Sequence, residues 1–126
     1  MSGTTSGVVF TSTGNSSDDL NFRIFQGKTV SFEIIWGGSS PIDITGYSSS
    51  LQIRASRDRD LIFEFSTTNG RIAIDGPAGK LTFSATDTET AVIDRDGIYE
   101  VELVNTGGDV FRVISGTFRP ILDIVA

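Results

Sequence analysis

The sequence predicts an all-β domain, an antiparallel β-sandwich with one short helical turn. Two observations carry this. Apolar residues recur at every second position through several short segments, most clearly Val30, Phe32, Ile34 and Trp36. Residues two apart on a strand share a face, so such a segment has one apolar side. Turn-forming residues then interrupt these segments about every 8–12 residues, the spacing of a sandwich or small barrel. Eight or so strands in two packed sheets are expected.

Residues 1–19 are rich in Ser, Thr and Gly, broken only by Val8, Val9 and Phe10. Composition alone predicts a flexible arm. The alternative is an arm that docks on a neighbouring subunit through those three apolar residues. Residues 20–120 make up the sandwich, and 121–126 form an apolar tail.

In the first expected strand, Leu20, Phe22 and Ile24 alternate with Asn21, Arg23 and Phe25. Gln26-Gly27-Lys28 turns into the strand ending at Trp36. Gly37 to Pro41 breaks it, and Ile42 to Tyr47 reads as a short strand or extended corner. There Asp43 and Thr45 can bond to nearby backbone and Gly46 permits a turn. Ser48–Ala55 carries Leu51 and Ile53 on one side, with Gln52 and Arg54 on the other. Arg57-Asp58-Arg59-Asp60 is a charged hairpin tip, and Leu61–Ser66 returns from it.

Asn69-Gly70 is the strongest turn signal, because both residues tolerate positive φ. Arg71–Asp75 and Lys80–Ala85 are strands on either side of a Gly76–Gly79 turn. Thr86–Asp94 is the one helical candidate. Thr86 is its cap, Asp87 and Glu89 stand in the first turn, and Ala91, Val92 and Ile93 are placed to pack down. Ile98–Val104 alternates Tyr99, Val101 and Leu103 against Glu100 and Glu102. Asn105–Asp109 turns into a long final strand, Val110–Arg119, apolar at many positions on both sides. Pro120 ends it or places it at a sheet edge.

Composition narrows function. Among 126 residues there is no Cys and no His. Disulfides, thiolate metal sites and Ser–His or Cys–His catalysis are therefore impossible within the chain. A net charge of −6 argues against nonspecific nucleic-acid binding, which needs a basic footprint. No stretch approaches the length of a membrane span. Residues 1–22 lack Lys, Arg and a sustained apolar run, so no signal peptide is expected. The expected place of synthesis and folding is the cytosol.

Asp75, Asp94, Asp96 and Glu100 are carboxylates that a glycosidase could use, yet they sit at turns and on polar strand faces. Asp94-Arg95-Asp96-Gly97 is too short for a calcium loop and reads as a plain turn. No catalytic residue, cofactor or metal is expected. Trp36 ends an apolar face and is expected in the core. An exposed Trp36 or Tyr47 in a groove would instead suit a carbohydrate-binding module. Ile121, Leu122, Ile124 and Val125 would each lose about 1.5–3 kcal/mol of burial if left in water. They are expected to extend the chain's own sheet or to join a neighbour. The candidate partner contacts are thus Val8, Val9, Phe10, Arg57, Asp58, Arg59, Asp60, Ile121, Leu122, Ile124 and Val125.

The order of motifs carries a resemblance. Gln26-Gly27-Lys28-Thr29 leads into the strand ending at Trp36, and Pro41 to Tyr47 and Leu51-Gln52-Ile53-Arg54 follow. Asn69-Gly70-Arg71-Ile72, Gly79-Lys80-Leu81, Gly97-Ile98-Tyr99, Glu102-Leu103-Val104 and Arg112-Val113 to Gly116 complete it. Over roughly residues 22–118 this resembles small structural domains of tailed-bacteriophage virions. It is similar to the N-terminal domain of upper baseplate proteins. The resemblance implies an immunoglobulin-like sandwich and a non-enzymatic role in the tail or baseplate, as an adaptor or fibre-attachment piece. It also implies a virion location and other virion proteins as partners, in a symmetric, multi-copy or homo-oligomeric assembly. A capsid decoration protein clamping the shell through the N-terminal arm is the alternative. No nucleic acid or membrane partner is expected.

Overall fold

A computed structural model describes residues 8–12, 20–37, 40–56 and 60–122. Nine strands and one helical turn occupy them. They are β1 (Val8–Ser12), β2 (Leu20–Ile24), β3 (Val30–Ile35), β4 (Ser48–Arg54), β5 (Leu61–Ser66), β6 (Ile72–Asp75) and β7 (Lys80–Ala85). The helical turn α1 (Asp87–Thr90), β8 (Gly97–Val104) and β9 (Val110–Phe118) follow. The protein is all-β, as its alternating segments predict.

A six-stranded sheet has the order β1-β2-β9-β8-β4-β5, and a three-stranded sheet the order β3-β7-β6. Neighbouring strands run antiparallel except β2 and β9, which are parallel at Phe22 and Phe118. Arg119 N–H donates to Phe22 O (3.0 Å) and Ile121 N–H to Ile24 O (2.8 Å), while Gln26 N–H donates to Ile121 O (2.9 Å). The chain beyond β9 thus continues alongside β2. The tail adds to its own sheet as far as Ile121. Residues 123–126 lie outside the described residues.

Aromatic rings join the two layers. Phe32 of β3 and Phe83 of β7 are register partners and stack at 4.6 Å. Phe32 then meets Phe22 (5.6 Å) and Phe65 (5.8 Å) of the larger sheet. Phe22 also touches Phe118 and Tyr99. Each of these rings is buried, together with Ile24, Leu51, Ile53, Leu81, Val101 and Leu103. The two sheets therefore share one core, filled from the apolar face of each alternating strand.

Several local expectations meet a different outcome. Val8–Ser12, expected within a flexible arm, runs as a strand antiparallel to β2, with Val8 opposite Ile24 and Ser12 opposite Leu20. Backbone pairing supplies what its composition does not. Residues 1–7 and 13–19 lie outside the described residues. Ile42–Tyr47, read as a short strand or an extended corner, takes the corner form. Asp43 accepts hydrogen bonds from the Thr45 amide (2.9 Å) and hydroxyl (2.6 Å), and only Ile44 is buried. Trp36, expected in the core, is half-buried at its rim. Its amide pairs with Gly79 O and its carbonyl with the Ile42 amide, which holds it at the sheet corner. Of Ala91, Val92 and Ile93, only Ile93 packs down, and Val92 is 62% exposed. The helix stops after one turn, which leaves Ala91 and Val92 exposed and Ile93 buried.

That turn is otherwise as expected. The Thr86 hydroxyl accepts from the Glu89 amide (3.2 Å), and Glu89 Oε1 accepts from the Thr86 amide (2.8 Å). This reciprocal capping box satisfies two amide donors at the helix start.

Candidate functional site

Among the described candidate contacts, the strand registers bring Val8, Asp60, Ile121 and Leu122 to one end of the sandwich. β4 ends and β5 begins at the hairpin tip, β8 begins opposite the end of β9, and β2 ends where β1 begins. Val8 therefore lies at the same end as Asp60 and Ile121, with Val9 and Phe10 following along β1. Asp60 is exposed, and its carbonyl accepts from the Ala55 amide (3.0 Å), closing the tip. Arg57, Asp58 and Arg59 lie outside the described residues, as do Ile124 and Val125. Ile121 is half-buried against β2, and Leu122 is exposed.

Around them the same end presents Phe25, from the β2–β3 turn, and Val92, after α1, both exposed. Gln26 Nε2 donates to Ala91 O (3.2 Å) and the Thr90 hydroxyl to Lys28 O (2.7 Å), which ties that turn to α1. Sequence reasoning did not single out Phe25 or Val92. Phe25 belongs to the outward phase of its strand, and that phase was visible. Val92 became exposed because of where the helix ends.

The outward face of the larger sheet holds the other site-like feature. It bears two open depressions. One, of about 460 Å³, is lined by Asn21, Arg23, Asp96, Thr117 and Arg119. The second, of about 420 Å³, is lined by Gln52, Arg54, Ile98, Glu100, Arg112 and Ser115. Phe22, Gly97, Phe118 and Tyr99 also line them, and the other residues fall on the polar phase of their strands or in the loops at their ends.

Each charged side chain there is hydrogen-bonded or ion-paired, Arg23 through the Arg119 and Pro120 carbonyls (3.5 and 3.3 Å). Arg54 donates to Gln52 Oε1 (3.0 and 3.1 Å), and Gln52 Nε2 donates to Glu64 Oε2 (2.7 Å). Arg112 faces Glu100 (3.8 Å), and Arg119 faces Asp96 (3.5 Å). Glu100 and Glu102, two apart on β8, share a face. A hydrogen bond that the protonated Glu102 carboxyl donates to Glu100, with some burial and the neighbouring charge, raises Glu102 above its ordinary value.

The acidic residues considered for catalysis do not converge. Asp94 is exposed beside Arg95 (3.8 Å), and Asp96 and Glu100 each face a different arginine. Asp75 is exposed at the far end of β6. Among the described residues no three carboxylates gather where they could hold a metal ion. No helix among them is long and apolar enough to cross a membrane. The outer face can offer hydrogen bonds and paired charges to a polar surface.

Neither a protein-family model nor any curated protein sequence matches this chain.

Proposed function

We propose that this chain is a non-enzymatic structural domain of a tailed-bacteriophage virion, an adaptor or fibre-attachment piece of the tail or baseplate with an immunoglobulin-like fold. The motif order from Gln26 to Gly116 suggests the reading, and the strand order is the observation that carries it. With β3 to β9 read as strands B, C, C′, D, E, F and G, the sheets become B-E-D and G-F-C-C′. That division matches the one a variable-type immunoglobulin domain has and supports the reading, with β2 and then β1 added beyond the last strand. Such a sandwich offers two ends and two edges for assembly and little cleft for chemistry.

The gathering of β1, the tail, Phe25 and Val92 at one end supports attachment through that end. Mass spectrometry of purified particles tests the proposal. The chain is expected among the particle proteins, and its absence would refute the reading. Densitometry then separates a tail part, on the order of a dozen copies, from a capsid decoration protein in hundreds.

A further inference from the structure

We propose that the first half of β9 is a self-association edge, at which a second copy of this chain pairs antiparallel about Phe111. One hydrogen bond and the β8–β9 register set the alternation. The Asn105 amide donates to Asp109 O (3.0 Å), so Asp109 and Phe111 turn their backbone groups toward β8. Val110 and Arg112 therefore turn theirs away from it. β2 lies on that side only from about Phe118 onward. Among the described residues, nothing pairs with Val110 and Arg112 there.

The other long edge of this sheet is treated differently. On β5 the Asn69 side chain donates to Glu64 O (3.0 Å) and accepts from the Ser66 amide (3.0 Å), and Arg71 also donates to Glu64 O (2.9 Å). Side chains thus fill the positions that a pairing strand would use, a common way to blunt an edge. Among the described residues the β9 edge carries no such block. It is also apolar, with Val110 58% and Phe111 40% exposed. The turn behind it is tied by hydrogen bonds. Asn105 Oδ1 accepts from the Gly107 and Asp109 amides (2.9 and 2.8 Å), and Asn105 Nδ2 donates to Asp109 Oδ2 (3.1 Å).

A second copy fits because the edge is complementary to itself. A two-fold axis perpendicular to the sheet keeps equal faces together, so a residue meets one of its own parity. With Val110 and Arg112 bonding outward, the compatible register centres on Phe111. Val110 then faces Arg112 of the second copy, and Phe111 faces Phe111. This covers both exposed rings, lays each Val110 against an arginine stem, and keeps the two Arg112 guanidiniums from facing each other. Centring on Arg112 would oppose like charges.

Cross-linking in this cysteine-free chain tests the register. Opposed residues at a non-hydrogen-bonded site have Cβ atoms close enough for a disulfide. Phe111→Cys is expected to oxidise to a covalent dimer at concentrations where Leu61→Cys, exposed at the other edge, stays monomeric. Light scattering of the unmodified chain is expected to show a concentration-dependent rise toward twice the chain mass. Val110→Pro removes an outward amide without touching the β8 ladder, so it is expected to lower dimer affinity at least tenfold with an unchanged melting profile. Equal cross-linking of both cysteine variants, or a monomer at every concentration, would overturn the proposal. So would a dimer indifferent to Val110→Pro. None of these readouts depends on whether the chain belongs to a virion.

Discussion

Arg71 and Glu89 stand eighteen residues apart in sequence and meet through two charge-assisted hydrogen bonds, from Arg71 Nε (3.1 Å) and NH2 (2.9 Å) to Glu89 Oε2. The same guanidinium lies over the Phe63 ring (4.6 Å) and donates to Glu64 O (2.9 Å). One side chain therefore joins β5 of the larger sheet to α1, at the end of the smaller sheet's β7. Removing it severs a link that crosses the layers.

Arg71→Ala is expected to lower stability by about 1–2 kcal/mol. A hydrogen bond to a charged group is worth about 1.5–3 kcal/mol, and the pair's partial exposure reduces its share. The urea midpoint should fall with an unchanged slope. An unchanged midpoint would mean that water replaces the contacts without cost.

Glu89 ties stability to pH. The Thr86 amide and then Arg71 hold its carboxyl below the ordinary value of 4.5. A carboxylate with a lowered folded value contributes stability that is complete above its unfolded value and is lost as pH falls through the folded one. Glu89→Gln keeps a capping-box side chain but loses the charge. The variant should be less stable than the parent at pH 7, and the gap should close at acid pH below 4.5. A gap that persists undiminished at pH 3 would assign the effect to geometry rather than charge.

Glu102 has the opposite sign. Its carboxyl is raised from 4.5 by Glu100, so the folded state holds this proton more tightly than the unfolded chain. Stability from this group therefore falls as pH rises above 4.5. Glu102→Gln should make the protein more stable at pH 7 and leave it unchanged near pH 3. Chemical denaturation at the two pH values checks both halves.

Phe32→Ala should be the most damaging of these changes. Phe32 stacks on Phe83 and touches Phe22 and Phe65 across the layer boundary, so its loss leaves a cavity shared by both sheets. Large-to-small changes of this kind cost about 3–5 kcal/mol. A melting temperature that barely moves would mean the sheets can close over the gap.

Thr86→Ala removes the hydroxyl that accepts from the Glu89 amide, at a cost of about 1 kcal/mol. The parallel loss in Glu89→Gln and Thr86→Ala should be less than additive, because both act on one capping box. A double-mutant cycle on urea midpoints reads the coupling.

Much of this molecule could be read along the chain. Phe22, Phe32, Phe63, Phe65, Phe83 and Phe118 all prove buried. The alternation around them, where it is regular, marks the inward phase of each strand, and the turn at Asn69-Gly70 and the cap at Thr86 are local chemistry. Alternation reports which face is apolar and carries no information about the neighbouring strand. The meeting of Phe22 with Phe118, 96 residues apart, the course of Ile121 beside Ile24, and the reach of Arg71 to Glu89 follow from how two layers close over a shared core. So does the exposed edge at Val110 and Phe111. Those residues look like core in a linear reading, and among the described residues no strand runs beside them, because β2 lies against only the later part of β9.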